Sequence, residues 1–243
     1  MLNPLVKTLT DLILDHKSKA GAALLQAPGD VLGCGWNAIV PGNVYVLGFN
    51  PGGQPDENDN SIAQSLESPP NDQAYSIYCC EAWPPNKKHG EHRHQRRVRK
   101  YLAHLGEPDA CRVASSNILF AKSRQVHMTK HFDHNWFKIC WEVHVALMAK
   151  VQPRYVLCLG NGEANSAYSR VRAHTPWVRS PSDNHKAPQG SDVVKTFKTT
   201  GKALYNVDTP YPVHVIGVRH PSRFGTTQHT LDFLTALSAD SRV

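Results

Sequence analysis

Short apolar runs alternate along this chain with stretches whose apolar positions recur at helical spacing. Leu5, Leu9, Leu12 and Ile13, then Ala22 and Ala23, predict an amphipathic helix over residues 3–26. VYVLG (Val44–Gly48) has the continuous apolar character of a short buried strand. From Gln54 to Asn86 the chain is rich in Pro, Asn, Asp, Gln and Ser, which predicts a long loop or insertion with little regular structure. A helical pattern resumes at Glu91. Val98, Tyr101, Leu102 and Leu105 form one stripe, and Arg93, Arg96, Arg97 and Lys100 fall on the opposite face. CRVASSNILF predicts a strand ending near Asn117, and a helix follows from about Asn135 to Lys150, stopped by Pro153. A second buried strand, Tyr155–Leu159, ends in Gly160-Asn161-Gly162 and passes into a helix. Thr175–Gly190 is irregular, and a hairpin or two short strands are expected around Gly201. Strand Val213–Val218 and a closing helix, Thr227–Leu237, complete the pattern.

Short hydrophobic strands separated by helices predict an α/β three-layer sandwich, a central, mostly parallel sheet with helices on both faces. The 243 residues are expected to form one domain with an irregular insertion near 54–90. In such sheets ligands bind beyond the carboxyl ends of the strands. Here those ends carry Asn50, Asn117, Asn161 and His220, so a shared cleft is expected there.

Charge adds a partner class. Lys87, Lys88, Arg93, Arg96, Arg97, Arg99 and Lys100 stand against Glu91 alone, so one segment supplies six of the formal +7. A concentrated basic patch suits a polyanion, although a solvated helix face would carry the same charges. The six cysteines show no CxxC spacing, and Cys158 within YVLCLG reads as a core residue. Lys7, Asp11 and Asp15 interrupt the first residues before an apolar leader core can form. No apolar run approaches a membrane span. These features predict a cytoplasmic protein with reduced thiols and no membrane partner. His89, His92 and His94 lie in a basic run without thiolate or paired acidic partners, which predicts a solvated or phosphate-facing surface and no metal site.

In GFNPGG, Pro51 keeps Asn50 out of helical geometry, and the surrounding glycines let backbone approach a ligand. A tight turn alone would explain the same residues. RHPSRF places His220 directly after a buried strand, with Pro221 fixing the turn and Ser222 offering a hydroxyl and an N–H to phosphate.

Together GFNPGG and RHPSRF resemble the water-activating loop and the His-Pro-Ser loop of the uracil-DNA glycosylase superfamily. Asn in the first loop with His in the second is most similar to its single-strand-selective monofunctional members. VASSNILF resembles the strand whose terminal Asn reads the base, and PRYVLCLGNGEANSAY the strand-to-helix step of that fold. These four segments carry the resemblance. It implies a monofunctional DNA glycosylase that flips out and hydrolyses off uracil or a related deaminated base. Under it, Asn50 and His220 are catalytic, Asn117 recognises the base, and Phe49 is the candidate ring beneath the base. Ser222, Arg223 and Phe224 contact DNA from the second loop, and Arg93, Arg96, Arg97 and Lys100 follow the strand electrostatically. A monomer acting on single- or double-stranded DNA without a cofactor is expected.

The chain also departs from that pattern. GGQPDENDNSIAQSLES contains no aromatic residue where the family usually places its ring, and the next candidates are Tyr75, Tyr78 and Trp83. The acidic stretch Asp56-Glu57-Asn58-Asp59 is an awkward neighbour for phosphate. Only Cys34 precedes the first loop, so the iron–sulfur cluster of some branches is not expected. The alternative function is a nucleic-acid-binding module on the same scaffold without glycosylase activity.

Overall fold

A computed structural model describes residues 4–15, 19–53, 59–67, 74–85, 88–124, 132, 135–176, 184–185 and 194–240. Helices α1 (Pro4–Asp15) and α2 (Lys19–Gln26) precede strand β1 (Val44–Gly48), and α3 (Ile62–Glu67) and α4 (Arg93–His104) lead to β2 (Ala114–Asn117). Then come α5 (Asn135–Val151), β3 (Tyr155–Leu159), α6 (Ala167–His174), β4 (Asn184–His185), β5 (Val194–Thr199), α7 (Gly201–Tyr205), β6 (Val213–Val218) and α8 (Gln228–Asp240).

The six strands form one sheet in the order β2-β1-β3-β6-β5-β4. The first four are mutually parallel, while β5 and β4 are antiparallel to their neighbours. Side-chain alternation divides the core into two layers. Val44, Val46, Tyr155, Leu157, Ile216 and Val218 pack with Val98, Tyr101 and Leu102 of α4 and Leu231 and Leu234 of α8. Tyr45, Leu47, Val156, Cys158 and Val215 face the other way, in a cluster with residues of α1, α2, α5, α6 and α7. The three-layer α/β architecture expected from the apolar runs is therefore present. Strands covered on both faces need continuous apolar runs, and β1 and β3 are buried at every position. No described helix is long and apolar enough to cross a membrane.

Three local expectations are corrected. The helix expected over 3–26 is two helices. Ala22 and Ala23, expected on its apolar stripe, are exposed, and the second helix buries Ala20, Gly21, Leu24 and Leu25 instead. Gly21 lets the two helices pack closely, since a Cβ there would lie 2.1 Å from the Ile13 carbonyl oxygen. The segment after Gly201 is a helix, because the Thr200 hydroxyl accepts from Ala203 N and caps it. The Gln54–Asn86 stretch contains α3. Its capping box is reciprocal, with Ser61 N donating to Gln64 Oε1 at 2.8 Å and Gln64 N to Ser61 Oγ at 3.2 Å. Residues 54–58, 68–73 and 86–87 of that stretch, and most of 175–190, lie outside the described residues.

Gly217 in β6 is where α6 meets the sheet. A Cβ added there would come within 2.7 Å of Cγ and Cδ2 of Tyr168. Those atoms are the near end of a packed ring that cannot swing aside cheaply. Gly217→Ala is therefore expected to destabilise the protein by about 1–3 kcal/mol, read as a lower urea midpoint at unchanged m-value. An unchanged midpoint would show that the ring has room to move.

Candidate active site

Parallel pairing brings the ends of β2, β1, β3 and β6 to one edge, and the register pairs Gly48 with Asn117. Asn117, the β1 loop, Gly160-Asn161 and His220 thus stand side by side in sheet order.

The β1 loop presents Asn50 with a defined amide orientation. Its Nδ2 donates to the carbonyls of Pro51 (2.8 Å) and Ser123 (3.3 Å) and to Ser123 Oγ (2.9 Å). Carbonyl oxygens only accept, so the NH2 group is fixed on that side and Oδ1 is the acceptor on the other. Ser123 is itself tied to the loop, its N–H donating to Pro51 O at 3.1 Å. Ser123 has no motif to mark it in the sequence. It reaches the loop because the chain after β2 keeps pairing with it, through Ile118 N to Gly48 O and Leu119 N to Phe49 O.

Phe49 does not serve as the ring beneath a base. It continues the parity of Tyr45 and Leu47, is 4% exposed, and packs against Phe137 of α5 with ring centroids 6.1 Å apart. That parity aims it into the core.

Asn117 rests on the space that Gly48 leaves open. A Cβ on Gly48 would lie 2.1 Å from Asn117 Oδ1. Behind it, His144 of α5 donates from Nε2 to the Asn117 carbonyl at 2.9 Å, which leaves Nδ1 to accept from the Tyr45 hydroxyl at 3.1 Å. Burial holds His144 down at about 4, so this bridge is neutral. His144 was findable, because it lies on the apolar stripe of α5 with Cys140, Val143 and Leu147.

His220 lies beside Gly160, whose φ of +132° is a backbone conformation that suits glycine; a Cβ there would be in ordinary van der Waals contact with the imidazole at 3.9 Å. The Ser222 hydroxyl lies 2.7 Å from His220 Nδ1 and Ser222 N donates to the same atom at 3.3 Å. An N–H needs an acceptor, so Nδ1 is unprotonated and the ring carries its proton on Nε2. Burial, then the charge of Arg223, lowers His220 to about 4. At neutral pH it is an uncharged hydrogen-bond donor. Ser222, expected on phosphate, here sets the tautomer of this histidine. Arg223 and Phe224 form the exposed tip of the same turn, their N–H groups donating to His220 O, and Arg219 lies 3.6 Å over the Phe224 ring.

The histidine run is also corrected. His92 caps α4, and His89 bonds through Nδ1 to Cys80 O. His94 is partly buried among aromatic rings. It stacks on Tyr78 (6.1 Å, 9° between planes) and meets Trp83 and His220 edge to face at 5.5 and 5.3 Å. Burial, then the neighbouring His220, lowers it to about 3. Its solvated look in the sequence arises because its covering rings come from the preceding segment. Glu81 orients that segment by accepting from Tyr75 Oη and Trp83 Nε1.

Of the basic helix face, Arg93, Arg96 and Lys100 are exposed. Arg97 is not available in the same way, since its Nη1 donates to Pro221 O (2.6 Å) and Phe224 O (2.8 Å). Of the acidic stretch, Asp59 is paired with Lys122 and residues 56–58 lie outside the described residues. Among the described residues no group of three His, Cys, Asp or Glu side chains could hold a metal.

No protein-family model matches the chain, and no curated protein is significantly similar to it. What the site can do therefore rests on its own chemistry: a fixed acceptor, a neutral donor and a primary amide along one edge. That set suits a planar polar ring that gains negative charge.

The depressed histidines carry a signed consequence. Unfolded chains bind protons at about 6.5 that folded His144 and His220 refuse until about 4. Stability is thus expected to be flat above pH 6.5 and to fall as pH drops from there toward 4, by about 1.4 kcal/mol per pH unit for fully buried His144. Urea titrations across that range, with histidine Cε1–H NMR, check this. Midpoints near 6.5 for both rings would contradict it.

Proposed function

We propose that this chain is a monofunctional DNA glycosylase that extrudes a nucleotide and hydrolyses the bond between sugar and base, acting on uracil or a related deaminated base. The observation that carries the proposal is the matched polarity of Asn50, Asn117 and His220 at three of four aligned strand ends on one edge of the sheet. A base must leave the stack before its glycosidic bond can be reached. As that bond lengthens, negative charge gathers on the base and positive charge on the sugar. The Nε2–H of His220 would donate to the base oxygen where the charge collects, and an already neutral, positioned donor needs no reorganisation. Asn117 offers one acceptor and one donor, the complement of N3–H and O4 of uracil. Asn50 has no useful proton affinity, but its Oδ1 would accept from a water and orient it toward the sugar carbon. The C–N bond breaks with its electron pair leaving on the base, the water oxygen bonds to the sugar carbon, and the proton that water sheds neutralises the base anion, without an enzyme amine bonded to the sugar. Arg93, Arg96 and Lys100 would follow the phosphates, with the Arg223–Phe224 tip as the wedge entering the gap left by the base.

The test is excision from labelled uracil-containing oligonucleotides, single- and double-stranded, with alkali revealing abasic sites. Wild type is expected to cut, and Asn50→Ala and His220→Ala to lose each about 10²–10³-fold in single-turnover rate. Full activity in His220→Ala would remove the charge-stabilising role. Salt-sensitive binding without excision of any deaminated base would instead favour the binding-module alternative.

A further inference from the structure

We propose that α4 is a clamp that positions the His220 loop, with His94 and Arg97 as its two jaws. The two residues lie three apart and so share one helix face. His94 meets the His220 ring edge to face at 5.3 Å, 81° between planes. One turn on, Arg97 donates to Pro221 O and Phe224 O, the carbonyls on either side of Ser222-Arg223. One side chain thus sets the plane of the imidazole, and the other closes the turn that carries it. Charge-assisted bonds from a planar guanidinium to two carbonyls give directional hold that a mobile phosphate-binding arginine does not have.

The clamp is itself anchored. Buried Gln95 donates to Ile77 O (2.6 Å) and Glu81 O (2.9 Å), and Arg99 donates to Tyr78 O and Gly90 O. Val98, Tyr101 and Leu102 hold the other side of the helix in the core against α8. Residues 77–81, Gly90, α4 and the His220 loop are therefore one mechanical unit. The charge facing the His220 imidazole is Arg223 of its own loop, while His92 and Arg97 face His94. The kinetic consequence rests on the glycosylase reading, whereas the structural one does not.

Two measurements on the full chain test this. In free protein, His94→Ala should raise the His220 titration midpoint from about 4 toward 6.5 as water reaches the ring, and His94→Phe, which keeps an edge-to-face ring, should leave it low. Arg97→Met should speed amide exchange in residues 221–224. With uracil DNA, Arg97→Met should lower kcat at least tenfold with KM and the salt dependence of binding unchanged. Arg96→Met is the reference for a phosphate contact, lowering the log–log salt slope by about one. A reduced salt slope with unchanged kcat in Arg97→Met would make Arg97 a phosphate contact and overturn the clamp. An unmoved His220 midpoint in His94→Ala would remove His94 from it. If wild type excises no base, the glycosylase reading fails, and the clamp is decided by the midpoint and the amide exchange alone.

Discussion

Parallel register is the constraint on which the rest of this structure depends. Gly48 pairs with Asn117, and Leu159 of β3 pairs with Val218 of β6, so four strands end on one line. A slip of one residue would turn each apolar set to the wrong layer and move every loop with it. A side chain at Gly48 would displace the Asn117 amide, which fills the space beside it. The two asparagines lie at the ends of neighbouring strands, and the pairing brings the histidine, two strands from Asn50, to the same edge although it lies 170 positions further along the chain.

Hydrogen-bond bookkeeping at that edge sets protonation as well as position. His220 and His144 each have one nitrogen assigned by a partner whose role is unambiguous, a backbone N–H in one case and a carbonyl in the other. Burial keeps both neutral. For His220 the charge of Arg223 adds to that effect. Asn50 obeys the same logic, with two carbonyl acceptors deciding which end of its amide faces outward. The site is thus preorganised by groups that do no chemistry themselves.

Much of the scaffold was legible in the sequence, and for a physical reason. Strands buried on both faces must be continuously apolar, so β1, β3 and β6 stand out, and α4, α5 and α8 show the stripes that cover them. Strand ends are therefore legible too, which is how Asn50, Asn117 and His220 come into view together. What stayed hidden depends on contacts between distant segments. The basic face of α4 looks uniform, yet Arg97 is turned to the His220 loop while Arg96 faces outward. His94 looks solvated until Tyr78 and Trp83 close over it. The break between α1 and α2 was hidden because Ala22 and Ala23, exposed in the structure, extend the apolar pattern past it, and α3 lay behind a capping box in a polar stretch. Phe49 shows how parity decides a role, since two positions on from Leu47 it had to point inward.

The central claim is that one edge of the sheet holds a flipped base between Asn117 and His220 and a water on Asn50. The most direct measurement is a crystal structure of the chain with DNA carrying a 2′-fluorinated deoxyuridine, whose fluorine disfavours positive charge on the sugar and blocks excision. The account predicts the uracil extruded, its N3–H and O4 on the Asn117 amide, its O2 on His220 Nε2 and a water on Asn50 Oδ1. A base left in its stack, or one bound away from these strand ends, would contradict it.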